Sequence, residues 1–374
     1  MRNKLYALRL IRNLRHFDWI LFLIILSLST LGIIMLYSAA NGSMTPWASK
    51  QLMLFGVGLI IFLLISNTSQ NTIMSYAYAF YILSFALLVG VEILGSVGKG
   101  GQRWINLYFF KLQPSELMKY ALVLALARYF NNINLREFLN FKQLAVAFGL
   151  VLLPSALVLK QPDLGTALML IMTGSVMIFL AGMRLWMVIG AFVSVAAMIP
   201  VGWRFLYDYQ RNRVLNFFTP EQDPLGSGYH IIQSKIAIGS GGLFGKGYMA
   251  GTQSHLDFLP EKQTDFIFTM FCEEFGFFGA VILLMMFVAL IFYCLRISLA
   301  AKSVFSKLLG SGITTIVFLY VFINTAMVMG LLPAVGIPLP FLSYGGTSMV
   351  TIMFGMGLIA SIENERVKRV RRSF

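Results

Sequence analysis

Long apolar stretches, seldom interrupted by charge, constrain this sequence more than any other feature. Apolar residues make up 58% of its 374 residues and charged residues only 12%, whereas soluble domains usually carry about 25% charged residues. A helix needs roughly 20 apolar residues to cross a bilayer, and about ten segments meet that need. They lie near 18–39, 51–67, 74–95, 114–130, 143–160, 163–182, 185–203, 266–295, 307–332 and 345–362. The sequence therefore predicts an all-α polytopic membrane protein forming one integral membrane domain over residues 1–374.

The net charge of +14 indicates either a nucleic-acid partner or membrane topology. Basic residues cluster before the first apolar run and after the last one, and no separate soluble basic domain exists that could bind a duplex. Cytoplasmic segments of membrane proteins are enriched in lysine and arginine. We therefore expect no nucleic-acid partner, and we expect both termini in the cytoplasm. The long segment 204–265, between the seventh and eighth predicted spans, then lies outside the cytoplasm.

A glycine-rich run, residues 239–247, invites a nucleotide-binding interpretation that its spacing does not support. A phosphate-binding loop has the pattern GxxxxGK[ST]; here the first position would be Ser240, and Lys246 is followed by Gly247. The run instead predicts a tight backbone path near the membrane surface, and no nucleotide cofactor is expected. The two cysteines lack CxxC spacing, so neither a zinc site nor a disulfide framework is expected.

Ionisable residues within the predicted spans are candidates for function, because burying charge in a membrane is costly. Glu116 and Lys119 are three residues apart and share one helix face. They form either an ion pair that only fixes packing or one wall of a polar cavity. Asp163 begins the sixth predicted span, where a carboxylate could also simply favour a helix N-terminus.

Asp265 is the main candidate for catalysis. It closes the long segment 204–265, where the chain re-enters the membrane, and a partly desolvated carboxylate suits general-base chemistry because burial raises its pKa. Glu261 lies four residues earlier and could assist or bind a cation. The alternative is that Asp265, with Thr264, caps the N-terminus of the eighth span.

Basic and aromatic residues accompany these carboxylates. Lys99, Arg103 and Lys119 could clamp a diphosphate, and Trp104 offers an aromatic surface at the level of the lipid headgroups. Together these groups suit a ligand with a lipid tail, a diphosphate and a polar head. A polyprenyl-diphosphate sugar has this composition and carries its own leaving group.

Five blocks, in order along the chain, resemble the signatures of the SEDS family (shape, elongation, division and sporulation). They are KGGQRWI at 99–105, QPSELMK at 113–119, QPDLGTA at 161–167, PEKQTDFIF at 260–268 and GIPLPFLSYGGTS at 336–348. The segment GKGYMAGTQ at 245–253 is similar to the elongation branch of that family.

The resemblance implies a ten-span inner-membrane glycosyltransferase that polymerises lipid II into peptidoglycan strands during cell-wall elongation and rod-shape maintenance, releasing undecaprenyl diphosphate. It implies a class B penicillin-binding protein as partner, in a rod complex with MreC, MreD and MreB. A divalent cation, Mg²⁺ or Mn²⁺, is also implied. The family's essential aspartate matches Asp265. The candidate substrate-binding residues are Lys99, Arg103, Trp104, Glu116, Lys119, Gln161, Asp163 and Glu261.

Two other functions fit the intramembrane charges. A transporter that flips lipid II would need polar groups along the whole crossing, whereas here they gather in one half. A non-catalytic scaffold for the penicillin-binding protein would tolerate loss of the charge at Asp265.

Overall fold

The computed structural model describes residues 18–94, 96–98, 101–106, 111–133, 140–184, 227–256, 258–259 and 261–372, with isolated residues between 186 and 215. Helices dominate this part of the chain. They are α1 Trp19–Ala39, α2 Ala48–Ser66, α3 Gln70–Leu94, α4 Pro114–Asn131, α5 Phe141–Lys160, α6 Leu164–Leu180, α7 Ser227–Ser240, α8 Thr252–His255, α9 Ile267–Ala300, α10 Val304–Val328 and α11 Gly346–Arg372.

Within the described residues, seven helices are long and apolar enough to cross a membrane, namely α1, α2, α3, α5, α9, α10 and α11. Two further helices coincide with predicted spans but fall short of that standard. α4 carries Glu116, Lys119 and Arg128, and α6 has only 17 residues. The seventh predicted span, 185–203, lies mostly outside the described residues. The prediction of a multi-pass helical membrane protein is confirmed.

The helices α4, α10 and α11 pack closely around the centre of the bundle. Glycines allow this approach: a Cβ at Gly312 of α10 would stand 2.7 Å from Val123 of α4, and a Cβ at Gly355 of α11 would overlap the ring of Tyr120. Small residues at such crossings are the usual means by which membrane helices approach each other. The close packing brings one face each of α4, α10 and α11 to the site described below.

A short antiparallel sheet precedes α4, which the all-α prediction omitted. Its strands are β1 Ser96–Gly98, β2 Gly101–Asn106 and β3 Lys111–Leu112, in the order β1-β2-β3. Ile105 pairs with Leu112 and Asn106 with Lys111. The strands carry Arg103, Trp104 and Lys111, which line the cavity described below.

The long helix α9 is broken at Gly276, where φ is 68° and ψ is −165°, a conformation that glycine adopts without steric cost. Residues 267–274 are buried, whereas Phe277 and Phe278 are exposed. Residues 277–300 alone span about 36 Å at 1.5 Å per residue, enough to cross a bilayer. The predicted eighth span is therefore a buried half-helix followed by a complete membrane helix.

The glycine-rich run fills the break in α9. The amides of residues 246–247 donate to the carbonyls of 273–274, both at 3.0 Å, and the amides of 277–278 donate to the carbonyls of 242–243 at 2.9 and 3.1 Å. A broken helix inside a membrane needs such partners, because unsatisfied backbone groups are costly there. The tight backbone path predicted for this run is present, and its partner is the broken helix.

Candidate active site

A cavity of about 580 Å³ lies between α4, α6, α7, α10, the start of α11 and the segment before α9. Seven of the predicted site residues line it, namely Arg103, Trp104, Glu116, Lys119, Asp163, Glu261 and Asp265. Lys99 lies outside the described residues. Gln161 stands behind the wall, where its buried side chain donates to the carbonyl of Leu88 at 2.9 Å.

Glu116 and Lys119 form a buried ion pair that also lines the cavity. The Lys119 ammonium is 1% exposed and donates to Glu116 Oε1 at 2.7 Å. It also donates to the hydroxyl of Tyr320, which in turn donates to Glu116 Oε2 at 2.5 Å. Lys119 further lies 4.2 Å from the centre of the Tyr320 ring. A buried pair needs such additional bonds to offset its desolvation, so α4 and α10 hold this charge pair jointly.

Asp163 caps helix α6, as one interpretation of the sequence expected. Its Oδ1 accepts from the amide of Thr166 at 3.3 Å and its Oδ2 from the hydroxyl of Thr166 at 2.9 Å. The side chain of Gln113 also donates to Oδ2 at 3.0 Å. Asp163 therefore ties the start of α4 to the start of α6 while it faces the cavity.

Arg103 braces the turn before Asp163. Its Nε donates to the carbonyl of Gln161 at 2.9 Å, and its terminal nitrogen donates to the carbonyl of Pro162. Two of its N–H groups thus hydrogen-bond to the backbone, and the side chain also lines the cavity. Lys111 of β3 lines the same cavity, so a pair of adjacent strands brings two cations to it.

Asp265 lies one residue before the N-cap of α9. The N-cap is Phe266, whose side chain makes no capping hydrogen bond. Asp265 is half-buried and lines the cavity. Gly336, with φ +72°, lies against its carboxylate, and a Cβ at Gly336 would stand 3.5 Å from Asp265 Oδ2. Asp265 therefore faces the cavity from a position one residue before the cap of α9.

Glu261 sits in a strained turn just before Asp265. Its φ of +60° is unusual for a residue other than glycine and costs about 1–3 kcal/mol, a strain often found at functional sites. Thr264 stabilises the turn: its amide donates to the Glu261 carbonyl at 3.0 Å, and its hydroxyl donates to Oε2 at 3.3 Å. The turn holds both carboxylates on one wall of the cavity.

Sequence reasoning missed several lining residues, namely Lys111, Gln113, His230, Tyr320 and Tyr344. Gln113 and Tyr344 belong to blocks that carried the family resemblance, so a signal for them existed. Burial raises the pKa of Tyr344, which keeps its hydroxyl protonated and able to donate. No signal singled out Tyr320, because a tyrosine within an apolar helix is usually a packing residue.

Comparisons with known proteins agree with this architecture. A family model described as cell cycle protein, covering FtsW, RodA and SpoVE, matches residues 18–368. The peptidoglycan glycosyltransferase MrdB of Escherichia coli K12 is 43% identical over 353 residues, covering 94% of each chain. The stage V sporulation protein E of Bacillus subtilis is 36% identical, covering 92% of this chain and 96% of its own.

Solved structures show the same fold. A chain from a peptidoglycan synthase complex, described as coordinating polymerization and crosslinking, superposes with a TM-score of 0.81 at 32% identity, covering 94% of this chain and 98% of its own. The rod shape determining protein RodA of Thermus thermophilus superposes with a TM-score of 0.71 at 26% identity, covering 94% and 97%. The chain therefore belongs to the SEDS family, the cell cycle proteins of the FtsW, RodA and SpoVE type, as its five sequence blocks predicted.

Proposed function

We propose that the chain is a peptidoglycan glycosyltransferase that joins lipid II into glycan strands during cell-wall elongation and rod-shape maintenance. The observation that carries this proposal is the shared cavity, in which the half-buried Asp265 faces the same space as the cations Arg103 and Lys111. Relatives at 43% identity carry the name of this activity.

Asp265 acts as the general base in the proposed reaction. It takes the proton from the 4-hydroxyl of the acceptor's GlcNAc as that oxygen attacks C1 of the donor's MurNAc. The bond from C1 to the diphosphate oxygen breaks, the anomeric centre inverts, and undecaprenyl diphosphate leaves with the bond's electron pair. Arg103 and Lys111 stabilise the departing charge, and Lys119 contributes through its pair with Glu116. Trp104 stacks on a sugar ring.

A divalent cation, Mg²⁺ or Mn²⁺, fits this site if protein and substrate coordinate it together. Among the described residues, no group of three or more His, Cys, Asp or Glu side chains could hold a metal alone. Mg²⁺ is often held through one or two carboxylates together with substrate phosphates. Glu261 would supply that carboxylate beside the diphosphate, and the ion would neutralise charge on the leaving group. Asp163 is already occupied by its capping bonds.

We further propose ten spans, with both termini in the cytoplasm and the cavity open to the outer face of the inner membrane. The seven long apolar helices, together with α4, α6 and the segment 185–203, supply that number. The basic clusters at both ends of the chain support this orientation. Segment 204–265 then lies on the outer face, where lipid II is consumed.

The proposed partner is a class B penicillin-binding protein, acting in a rod complex with MreC, MreD and MreB. Similarity to a chain of a synthase complex that coordinates polymerization and crosslinking supports this pairing. A transpeptidase beside the cavity would crosslink each strand as it emerges.

The decisive experiment replaces Asp265 with asparagine, which preserves shape and removes the basic oxygen. General-base catalysis contributes about 10²–10⁴-fold, so lipid II polymerisation by purified Asp265→Asn should fall by that factor. Asp18→Asn is a matched control, because Asp18 is a partly buried carboxylate bonded by Tyr293 at 2.8 Å and outside the cavity.

Polymerisation at the wild-type rate by Asp265→Asn would refute the base assignment, whereas a purified wild-type chain that forms no glycan would favour a scaffold instead. Lipid II placed in one leaflet of sealed vesicles tests the remaining alternative. Movement of the lipid across the bilayer without glycan formation would favour a transporter.

A further inference from the structure

Three consecutive backbone carbonyls, those of residues 263–265, are each held by a different donor. The amide of Tyr344 donates to the carbonyl of 263 at 2.8 Å, and the hydroxyl of Ser343 donates to that of 264 at 2.6 Å. The side-chain amide of Asn324 donates to the carbonyl of Asp265 at 2.9 Å. These carbonyls precede the first turn of α9, so their partners must come from elsewhere. All three donors come from α10 and the loop that leads into α11.

Asn324 is the central donor of this group. It is 0% exposed, and its Nδ2 makes a second bond, 2.7 Å long, to the carbonyl of Ile337. Ile337 lines the cavity next to Gly336, which lies against the Asp265 carboxylate. One side-chain amide thus joins the backbone of Asp265 to the loop that contains Gly336 and Ile337. Its orientation is fixed, since a flipped amide would point its oxygen at two carbonyl oxygens.

A buried asparagine inside a membrane helix requires a reason. Asparagine has a low helix propensity, and polar side chains within membranes are rare unless they serve a site or pack helices together. The two bonds of Asn324 do not run along its own helix; they hold the segment before α9 and the loop after α10. Both hydrogen bonds of the side chain therefore hold segments that line the cavity.

We propose that Asn324 is a positioning residue for Asp265, an inference that rests on the proposed function. It fixes the backbone of Asp265 so that the carboxylate stays beside Gly336, where the acceptor hydroxyl arrives. Ser343 is the second support, because its Oγ also accepts from the amide of Leu339 at 2.7 Å and cannot turn away from residue 264. A displacement of about 1 Å in a reacting group costs about 10²-fold in rate.

The test is Asn324→Leu, which removes both donors without adding charge. We expect kcat for lipid II polymerisation by the purified full-length chain to fall about 10²-fold with little change in KM, since a misplaced base lowers turnover rather than binding. The matched control is Asn364→Leu. Asn364 is also buried and donates to one carbonyl, that of Ser66, at 2.9 Å. It lies about 27 Å along α11 from Gly346, at 1.5 Å per residue.

A double-mutant cycle separates positioning from a general structural role. In the Asp265→Asn background, Asn324→Leu should reduce the residual rate by no more than about twofold, because effects on one functional unit are not additive. An equal loss in both backgrounds would overturn the inference. So would a wild-type rate for Asn324→Leu beside an inactive Asp265→Asn, an outcome that leaves the proposed function standing. A wild-type rate for Asp265→Asn would overturn the base assignment, and with it this inference.

Should Asn324→Leu fail to fold, Ser343→Ala carries the test. It removes one of the three bonds and leaves the backbone donor of Tyr344 in place. We expect a loss of about tenfold in kcat, intermediate between wild type and a fully released Asp265. An unchanged kcat for folded Ser343→Ala would overturn the proposed positioning of Asp265 by these hydrogen bonds.

Discussion

Neutralising Lys119 should destabilise the protein far more than neutralising an exposed lysine. Lys119→Met leaves the Glu116 carboxylate, 5% exposed, without its cation. Breaking a buried pair by removing one partner costs about 3–5 kcal/mol, whereas replacing both partners with neutral groups is often close to neutral. The hydroxyl of Tyr320 remains as a donor to Glu116, which places the expected loss near the lower figure, about 3 kcal/mol. The double variant Glu116→Gln with Lys119→Met should recover most of it.

The assay compares the apparent unfolding, in detergent, of four proteins: the wild type, Glu116→Gln, Lys119→Met and the double variant. The control is Lys160→Met, because the Lys160–Glu92 pair is 3.2 Å apart but its lysine is 68% exposed. An exposed pair contributes about 0–1 kcal/mol. A double variant as unstable as the sum of its single variants would refute the coupling, and so would a Lys119→Met protein as stable as the control.

The same cycle distinguishes the two interpretations of Glu116 and Lys119. If the pair only fixes packing, the neutral double variant regains polymerisation together with stability. If the pair is also a wall of the substrate cavity, as its position indicates, stability returns and polymerisation does not. We expect the second result, measured as lipid II polymerisation at a temperature where both proteins are folded.

Two further variants probe the cavity and the broken helix. Gly336→Ala forces alanine to φ +72° and places its Cβ 3.5 Å from Asp265 Oδ2. The backbone strain should lower stability by about 1–3 kcal/mol. The polymerisation rate of the folded protein should fall about tenfold or more, because the added Cβ crowds the proposed base. Glu273→Gln replaces a fully buried carboxylate and weakens the hydrogen bonds that it accepts from the amide and hydroxyl of Ser254 at 3.1 and 2.7 Å. Limited proteolysis of segment 242–256 should therefore accelerate. Glu363→Gln is the control, because it alters a partly exposed ion pair with Arg366 and should leave that proteolysis rate unchanged.

The helices could be predicted from sequence because lipid requires each crossing to satisfy its own backbone. The sixth predicted span, 163–182, differs by only one or two residues from α6, Leu164–Leu180. The break at Gly276 could not be predicted, because its backbone groups are satisfied by a run 30 residues earlier in the sequence. The sheet before α4 was missed for a similar reason: strands of two to six residues depend on pairing rather than on their own pattern.

In the candidate site, most of the charged residues could be predicted from the sequence and most of the uncharged ones could not. Asp265, Glu116 and Lys119 stood out because ionised groups are rare inside membranes. Tyr320 and Asn324 did not, because an uncharged side chain in an apolar helix reads as packing until its partners are known. Yet these two residues, one turn apart on α10, hold the Glu116–Lys119 pair and the backbone of Asp265.

Their spacing has a physical consequence for the proposed reaction. Four residues of helix rise about 6 Å, and α10 is among the most buried spans of the described chain, so it cannot easily move without disturbing its neighbours. The distance between the proposed base and the buried charge pair is therefore set by one rigid helix face. A variant that shifts α10 should disturb both groups together, whereas one that breaks only the Asn324 bonds should leave the Glu116–Lys119 pair intact.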